Sequence, residues 1–139
     1  MLYLMSTTII PADAAGTWEV TPVTLGAAQE LVRLHEYTSA VGHASTAEAM
    51  TELLEQPVAM NRLTVRPQQG DYFLCFKLDK RPPEGAILDR AQLEELGFGW
   101  ALMAYTEAVN PEPVDRIRIG SWEKFHETIR WKTPPSSVS

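Results

Sequence analysis

The run Tyr72–Leu78 constrains the fold of this chain more than any other stretch. It contains one charged residue among apolar and aromatic ones. A short apolar run of this kind, rich in aromatic residues and bounded by turn signals, predicts a β-strand within the core. Residues 2–10 form a second apolar run that ends at Pro11. This second run predicts a central strand that is buried on both faces.

Three helices are predicted between and after these strands. Thr24 precedes an apolar stripe that continues to about Tyr37, so it is expected to cap the first helix. The second helix is expected over residues 46–55, and it ends before a proline. Asp89 and Gln92 have the spacing of a capping box at the start of the third, short helix.

Further strands are expected at residues 17–21 and 98–106. Residues 58–66 alternate weakly between apolar and polar side chains, and the turn-like sequence of residues 67–71 follows them. This pattern predicts an antiparallel hairpin between residues 58–66 and the Tyr72–Leu78 strand.

With 139 residues, of which 45% are hydrophobic, the chain is long enough for one domain with its own core. We expect that domain to cover residues 1–109. Residues 110–133 are expected to form an extension with a short amphipathic helix after Ser121, and residues 134–139 a disordered tail.

Composition excludes several classes of protein. The net charge of −6 argues against a general nucleic-acid binder such as a DNA-binding protein. A single cysteine, Cys75, cannot form an internal disulfide and is expected to be a buried thiol, which suits the cytoplasm. Residues 1–5 are apolar but are not preceded by a basic region, so we do not expect them to form a signal peptide. No apolar stretch in the sequence approaches the roughly 18 residues that a membrane span needs.

The clearest candidate site lies around His43. Ser45 and Glu48 have the spacing of a capping box, so a helix is predicted to begin there with His43 just outside it. Unpaired amides at a helix start favour an anion, and His43 would be close enough to donate a proton to it. Gly42 removes a side chain where a ligand comes close or the backbone turns. The alternative is that His43 is a surface residue beside an ordinary cap.

Arg62, Arg81 and Glu84 complete a set that suits metal-free cleavage of RNA. In that reaction the 2′-hydroxyl attacks its own phosphate, and the protein stabilises charge and protonates the leaving oxygen. Arginine binds phosphate through a permanently charged fork. Glu84 would orient Arg81, accept a hydrogen bond from a ribose hydroxyl or a base amine of the ligand, or hold the loop in place. The alternatives are a surface ion pair for Arg81 and Glu84 and a strand end for Arg62.

Metal-dependent chemistry has little support in the sequence. The histidines at positions 35, 43 and 126 lack the spacing of metal ligands, and the chain has no cysteine pair and no acidic cluster typical of a divalent-cation site. We therefore expect neither a metal nor another cofactor.

Four separated motifs resemble those of the viral ring nucleases, the type III anti-CRISPR proteins of archaeal viruses and phages with their cellular relatives. The motifs are Leu4–Ile9, Ser39–Ala47, Asn61-Arg62 and Lys80–Gly85. The resemblance implies an α/β fold in which helices flank a mixed central sheet, and a homodimer that binds cyclic tetra-adenylate across its two-fold axis. Such proteins cleave this second messenger without metal into linear di-adenylates with 2′,3′-cyclic phosphate ends, which switches off type III CRISPR signalling.

The resemblance also implies roles for individual residues. His43 corresponds to the general acid, and Arg81 and Glu84 correspond to a loop pair that acts on the ligand. The ligand-binding positions are Ser6, Thr7, Thr8, Gly42, Ser45 and Arg62. Ser6 replaces an asparagine common in the family, and residues after Asn110 have no counterpart in short viral members.

Two other functions stay open at this point. A non-catalytic protein that binds a cyclic oligonucleotide, as a sponge or a sensor, would need the same cavity. A structural or regulatory phage protein would have lost the site. The sequence does not distinguish a viral, a prophage and a cellular origin. We therefore expect the protein in the cytoplasm of the cell that encodes it or, for a viral protein, in the cytoplasm of the host.

Overall fold

In a computed structural model of the chain, residues 1–6, 14–83 and 88–109 are described. They form a single α/β domain with five strands and three helices. The strands are β1 (Leu2–Met5), β2 (Gly16–Val23), β3 (Tyr37–Ser39), β4 (Tyr72–Leu78) and β5 (Phe98–Glu107). The helices are α1 (Leu25–Leu34), α2 (Ala44–Leu54) and α3 (Arg90–Leu96).

The strands form one mixed, open sheet in the order β2-β5-β4-β1-β3. β1 is parallel to both of its neighbours, β3 and β4, whereas β5 is antiparallel to β4 and to β2. The prediction that β1 is central is confirmed, because it has a strand on each side. As a result β1, β3 and β4 all end at the same edge of the sheet, which we call the carboxyl edge.

Three helices cover one face of the sheet. Leu4, Leu74 and Trp100 point to this face from β1, β4 and β5, and they belong to one buried cluster with residues of all three helices. α2 contributes most to that cluster, since Met50 and Leu53 are fully buried. Such burial of apolar side chains is the main force that holds the helices against the sheet.

The opposite face carries a second, mostly aromatic cluster. Phe73, Cys75, Met103 and Tyr105 are buried there, with Trp18 and others packed against them. Trp18 and Phe73 lie with their ring centroids 5.2 Å apart in a tilted arrangement, a favourable geometry for aromatic pairs. Burial on both faces explains why β4 reads as a nearly continuous apolar run.

Local signals located several elements correctly. β4 has the bounds that were predicted, and β5 extends the predicted strand by one residue. Thr24 caps α1 by accepting a hydrogen bond from the amide of Ala27, although that helix ends at Leu34, before the predicted end at Tyr37. The capping box of Asp89 and Gln92 is formed, and Gly97 follows α3 with a φ of 82°.

Two strands have different bounds from those expected. β1 ends at Met5, and β2 runs from Gly16 to Val23, so it includes Pro22. A proline cannot donate a ladder hydrogen bond, but β2 lies at the edge of the sheet, where one side of the strand has no partner to bond. The last residues of the expected first strand lie outside the described part.

The predicted hairpin between residues 58–66 and β4 is wrong. β4 pairs with β1 on one side and with β5 on the other, so neither of its edges is free for a further strand. The turn itself is present: the Asp71 amide donates to the Gln68 carbonyl over 3.0 Å, and Gly70 has a φ of 89°. Residues 61–68 instead form an irregular segment that packs Val65 against the aromatic cluster.

The domain boundaries predicted after residue 109 stay predictions. The extension over residues 110–133 and the tail over residues 134–139 lie outside the described residues.

Candidate functional site

Three segments that contain predicted site residues lie at the carboxyl edge of the sheet. Ser6 follows β1, residues 40–43 follow β3, and Arg81 lies three residues after the end of β4. The Ala40 amide donates to the Leu4 carbonyl over 2.8 Å, so the loop after β3 begins beside the end of β1. The carboxyl edge is where open α/β sheets usually bind their ligands.

His43 is the N-cap of α2. Its backbone is extended, with φ −126° and ψ 129°, and its carbonyl accepts the first helical hydrogen bond from Ala47 over 3.0 Å. The His43 side chain makes no capping hydrogen bond, and the first turn of α2 contains no acidic residue. The amides at this helix end are therefore available to an anion, which the helix dipole also favours.

The predicted capping box of Ser45 and Glu48 is wrong, because α2 begins one residue before Ser45. The backbone is already helical at Ala44, and Ser45 is an exposed residue of the first turn. A Ser-x-x-Glu spacing specifies a box only when the serine is the N-cap, and here His43 occupies that position. Ser45 nevertheless lies at the helix end that faces the candidate site.

The structure places Arg62 against Gly42, the residue before His43. Residues 58–62 run alongside residues 39–42, and Val41 forms a parallel bridge with Met60. Arg62 then donates from Nε to the Gly42 carbonyl over 3.2 Å. A guanidinium group has donors on more than one side, so this bond leaves its terminal nitrogens for another acceptor.

Gly42 has no close neighbour that would exclude a side chain. Its φ lies outside the left-handed region, and a Cβ built on it would meet only the Cγ of Arg62 within 4 Å, at the ordinary distance of 3.6 Å. Of the two reasons predicted for a glycine here, the turn of the backbone is therefore not supported.

The remaining predicted site residues either lie at the same edge of the sheet as His43 or fall outside the described residues. Ser6 and Arg81 are at the same edge of the sheet as His43, and Arg81 is exposed. Thr7, Thr8 and Glu84 lie outside the described residues, so the pairing of Glu84 with Arg81 stays a prediction.

Sequence reasoning did not assign a role to Ser39. Its hydroxyl donates to the Ala59 carbonyl over 2.6 Å, and its own carbonyl accepts from the Asn61 side chain over 2.7 Å. These contacts link residues about twenty positions apart, and no local pattern predicts them. The only signal was that Ser39 and Asn61 each belong to one of the motifs.

Among the described residues, the two groups with clearly shifted pKa values lie away from His43. Burial raises the pKa of the Cys75 thiol to about 11, and burial also raises the pKa of the Tyr37 hydroxyl. Cys75 is therefore a neutral thiol at physiological pH and not a nucleophile.

Two cavities lie at the edge of the sheet opposite to His43. One, of about 460 Å³, lies where β1 and β4 begin and is lined by Leu2, Leu31 and Tyr72 among others. The other, of about 380 Å³, lies beside the start of β2 and includes Arg66 and Gln68. The His43 side chain is exposed.

Within the described part of the chain, no three acidic, histidine or cysteine side chains are grouped as metal ligands would be. His35 follows α1 at the opposite edge from His43, and His126 lies outside the described residues.

No helix among the described residues is long and apolar enough to cross a membrane.

The sequence profile of a family described as STIV B116-like matches residues 2–100. The chain belongs to the STIV B116-like family. This family match covers most of the domain that the sequence predicted, including β1, α2 and the segments that carry His43, Arg62 and Arg81.

Relatives of this STIV B116-like chain come from archaeal viruses and from a bacterium. The uncharacterized protein ORF117 of Acidianus two-tailed virus is 35% identical over 102 residues, which cover 70% of this chain and 87% of that protein. Protein 26 of Sulfolobus islandicus filamentous virus is 29% identical and covers 70% of this chain and 86% of its own length. YddF of Bacillus subtilis is 29% identical over 63% of this chain and 83% of its own length.

A solved structure has the same fold. B116 of Sulfolobus turreted icosahedral virus superposes with a TM-score of 0.65 and covers 74% of this chain and 97% of its own, at 16% identity. At that identity the likeness concerns the fold alone. The viral relatives agree with the kind of source that the motif resemblance implied, and their names describe no activity.

Proposed function

We propose that this STIV B116-like protein is a ring nuclease that cleaves cyclic tetra-adenylate without a metal. The observation that carries the proposal is the hydrogen bond from Arg62 to the Gly42 carbonyl, which holds a cation beside His43 at the open end of α2. The motif resemblance to the viral ring nucleases supplies the identity of the ligand.

The chemistry needs few groups from the protein. The 2′-hydroxyl of an adenosine gives its proton to solvent water and attacks the adjacent phosphorus, and the bond from phosphorus to the 5′ oxygen breaks as that oxygen takes a proton from the protein. The products carry a 2′,3′-cyclic phosphate and a 5′-hydroxyl. Because the nucleophile belongs to the substrate, the protein must hold the ribose in line, stabilise the phosphorane and protonate the leaving oxygen.

His43 supplies the proton for the 5′ oxygen in this proposal. It is exposed, and no capping bond holds its imidazole back from a ligand at the helix end. The amides at the start of α2 and the terminal nitrogens of Arg62 stabilise the charge on the phosphorane. Arg81 comes to the same edge from β4 and binds a second phosphate, with Glu84 as its partner.

In this proposal a homodimer encloses the ligand between the exposed surfaces around His43 of its two copies. Cyclic tetra-adenylate can be bound symmetrically, so a two-fold axis through the ring would present two copies of His43 and Arg62 to opposite phosphates. Two cleavages then release two linear di-adenylates. This arrangement also suits an acidic protein, because each arginine is doubled around one small anion.

The test is to incubate purified protein with cyclic tetra-adenylate in excess EDTA and to separate the products by chromatography. His43→Ala should lower turnover by about 10²- to 10⁴-fold while it keeps the ring bound. His35→Ala is the matched control, because His35 is also exposed but lies at the other edge of the sheet. Full turnover by His43→Ala would reject the assigned role.

The second candidate is a protein that binds the ring without cleaving it. The helix amides and Arg62 are sufficient for anion binding, whereas only His43 supplies a proton. Tight binding with no product after long incubation of the wild-type protein would replace the nuclease by this candidate.

A further inference from the structure

The loop after β3 and residues 59–62 are joined by reciprocal hydrogen bonds, which we call the Ser39–Asn61 clamp. The Ser39 hydroxyl donates to the Ala59 carbonyl over 2.6 Å. In return the Asn61 side-chain amide donates to the Ser39 carbonyl over 2.7 Å. The Asn61 backbone amide adds a bond of 2.7 Å to the Val41 carbonyl.

Apart from these bonds and the parallel bridge between Val41 and Met60, little fixes the position of residues 59–62. Ala59, Met60, Asn61 and Arg62 are all exposed, and this segment belongs to no strand of the sheet. Burial of apolar side chains therefore contributes little to holding it in place. Val58 is buried just before the segment, but it anchors only the entry. The hydrogen bonds of the clamp consequently decide where the segment lies.

We propose that Ser39 and Asn61 are positioning residues for Arg62. They hold the backbone of the preceding residues so that the Arg62 Nε reaches the Gly42 carbonyl and its terminal nitrogens face the start of α2. The effect of the clamp on ligand affinity rests on the proposed function, whereas its effect on the position of Arg62 does not.

The clamp is separate from the core of the domain. Ser39 lies at the last position of β3, and both clamp side chains are at least partly exposed. Asn61→Ala removes one side-chain hydrogen bond. Ser39→Ala removes two, because the Ser39 hydroxyl donates to the Ala59 carbonyl and also accepts from the Val41 amide over 3.3 Å. Neither change removes an apolar side chain from the buried clusters. Ser39→Thr keeps the hydroxyl and also suits a strand, so it is the conservative control.

The first measurement needs no ligand. We would record the side-chain Nε–Hε resonance of Arg62 by nitrogen-15 NMR, with Arg62→Ala to assign it. In the wild type and in Ser39→Thr this hydrogen should be protected from exchange by its bond to Gly42. In Ser39→Ala and Asn61→Ala the resonance should move to the position of a free arginine and exchange faster. An unchanged resonance in both alanine variants overturns the proposal.

The second measurement is a double-mutant cycle on the affinity for cyclic tetra-adenylate. Asn61→Ala alone should weaken binding about three- to tenfold, and Arg62→Ala alone about 10- to 100-fold. If Asn61 acts through Arg62, adding Asn61→Ala to Arg62→Ala has no further effect. An additive loss in the double variant would instead show that Asn61 acts independently, and it would overturn the positioning role.

Turnover separates positioning from a general loss of structure. The clamp variants should raise KM with a smaller change in kcat, because the ring is bound less well while His43 stays at the end of α2. Thr64→Ala, an exposed polar position of the same irregular segment, is the matched control and should change neither constant. If the wild type binds no ring, the proposed function fails, and the NMR experiment still decides whether the clamp positions Arg62.

Discussion

The Nε of Arg62 donates a hydrogen bond of 3.2 Å to the carbonyl oxygen of Gly42, the residue before His43. The two residues are separated by twenty positions in the sequence. Their contact places a permanent positive charge at the start of α2, where the helix amides and dipole already favour an anion.

Removal of Arg62 should weaken ligand binding without unfolding the protein. Arg62 is exposed, so Arg62→Ala should change the free energy of unfolding by less than about 0.5 kcal/mol. The loss of a charge-assisted contact to phosphate should weaken binding of cyclic tetra-adenylate by about 1.5–3 kcal/mol, measured by titration calorimetry. Arg33→Ala removes an exposed arginine from the last turn of α1 and should have no effect.

Arg62→Lys should recover only part of that affinity. Lysine keeps the positive charge but lacks the planar fork that binds two phosphate oxygens. An affinity for Arg62→Lys equal to that of the wild type would show that only the charge matters at this position.

Gly42→Ala should leave stability unchanged and reduce binding. Within the protein the added Cβ would be in ordinary contact with Arg62, and the backbone at Gly42 does not require positive φ. A ligand at the start of α2 would come close to this position and would meet the extra methyl group. Thermal unfolding and calorimetry on the same sample distinguish the two effects. Unchanged affinity would show that the ligand does not approach Gly42.

The two helix starts should respond differently to loss of their polar side chains. Asp89→Ala removes a formed capping box and should lower the free energy of unfolding by about 0.5–2 kcal/mol. Ser45→Ala should leave that energy nearly unchanged, because Ser45 is not the N-cap of α2. Urea denaturation of both variants checks the difference. Equal destabilisation would contradict the start of α2 at Ala44.

Thr51 should matter for stability through its hydroxyl. Its Oγ1 accepts from the Val58 amide over 2.9 Å and lies 2.8 Å from the Ala47 carbonyl. Thr51→Val keeps the shape but leaves the Val58 amide without this partner, which should cost about 1–3 kcal/mol in urea denaturation. Thr51→Ser keeps the hydroxyl and should lose clearly less. The reverse order would mean that the methyl group is the important part.

Cys75 should be unreactive until the protein unfolds. It is buried between aromatic residues, and burial raises the pKa of its thiol from 9.0 to about 11. An alkylating reagent at about pH 8 should therefore modify Cys75 in guanidinium chloride but not in buffer. Mass spectrometry would detect the adduct, and rapid modification of the folded protein would contradict the burial.

The same shift makes stability depend on pH in alkaline solution. The folded thiol has the higher pKa, so the unfolded chain loses its proton first as pH rises. Below about pH 9 the thiol is protonated in both the folded and the unfolded chain, so its titration does not change the free energy of unfolding. Between about pH 9 and pH 11 the unfolded chain loses the proton while the folded chain keeps it, so the free energy of unfolding should fall. Cys75→Ala should have a smaller fall over that range. An identical pH dependence in both proteins would show that the thiol is not the cause.

The sequence by itself determined the elements whose signals are local. β4 and β5 are apolar runs between turn signals, and the caps of α1 and α3 consist of residues next to the helices that they begin. The four motifs also identified the candidate site residues, and the family match covers the same part of the chain. The strand and cap signals are each contained within a few neighbouring residues, so they need no knowledge of the rest of the fold.

Only the tertiary structure decided which elements pair and which side chains meet. The three-residue strand β3 is too short for a periodic pattern and exists because β1 offers it an edge. The hairpin was wrong because β1 and β5 compete successfully for the edges of β4. Arg62 reaches the residue before His43 because residues 39–42 and 59–62, which are distant in sequence, are hydrogen-bonded to one another. Contacts between residues far apart in sequence depend on how the whole sheet is assembled, and that information is not present in any local pattern.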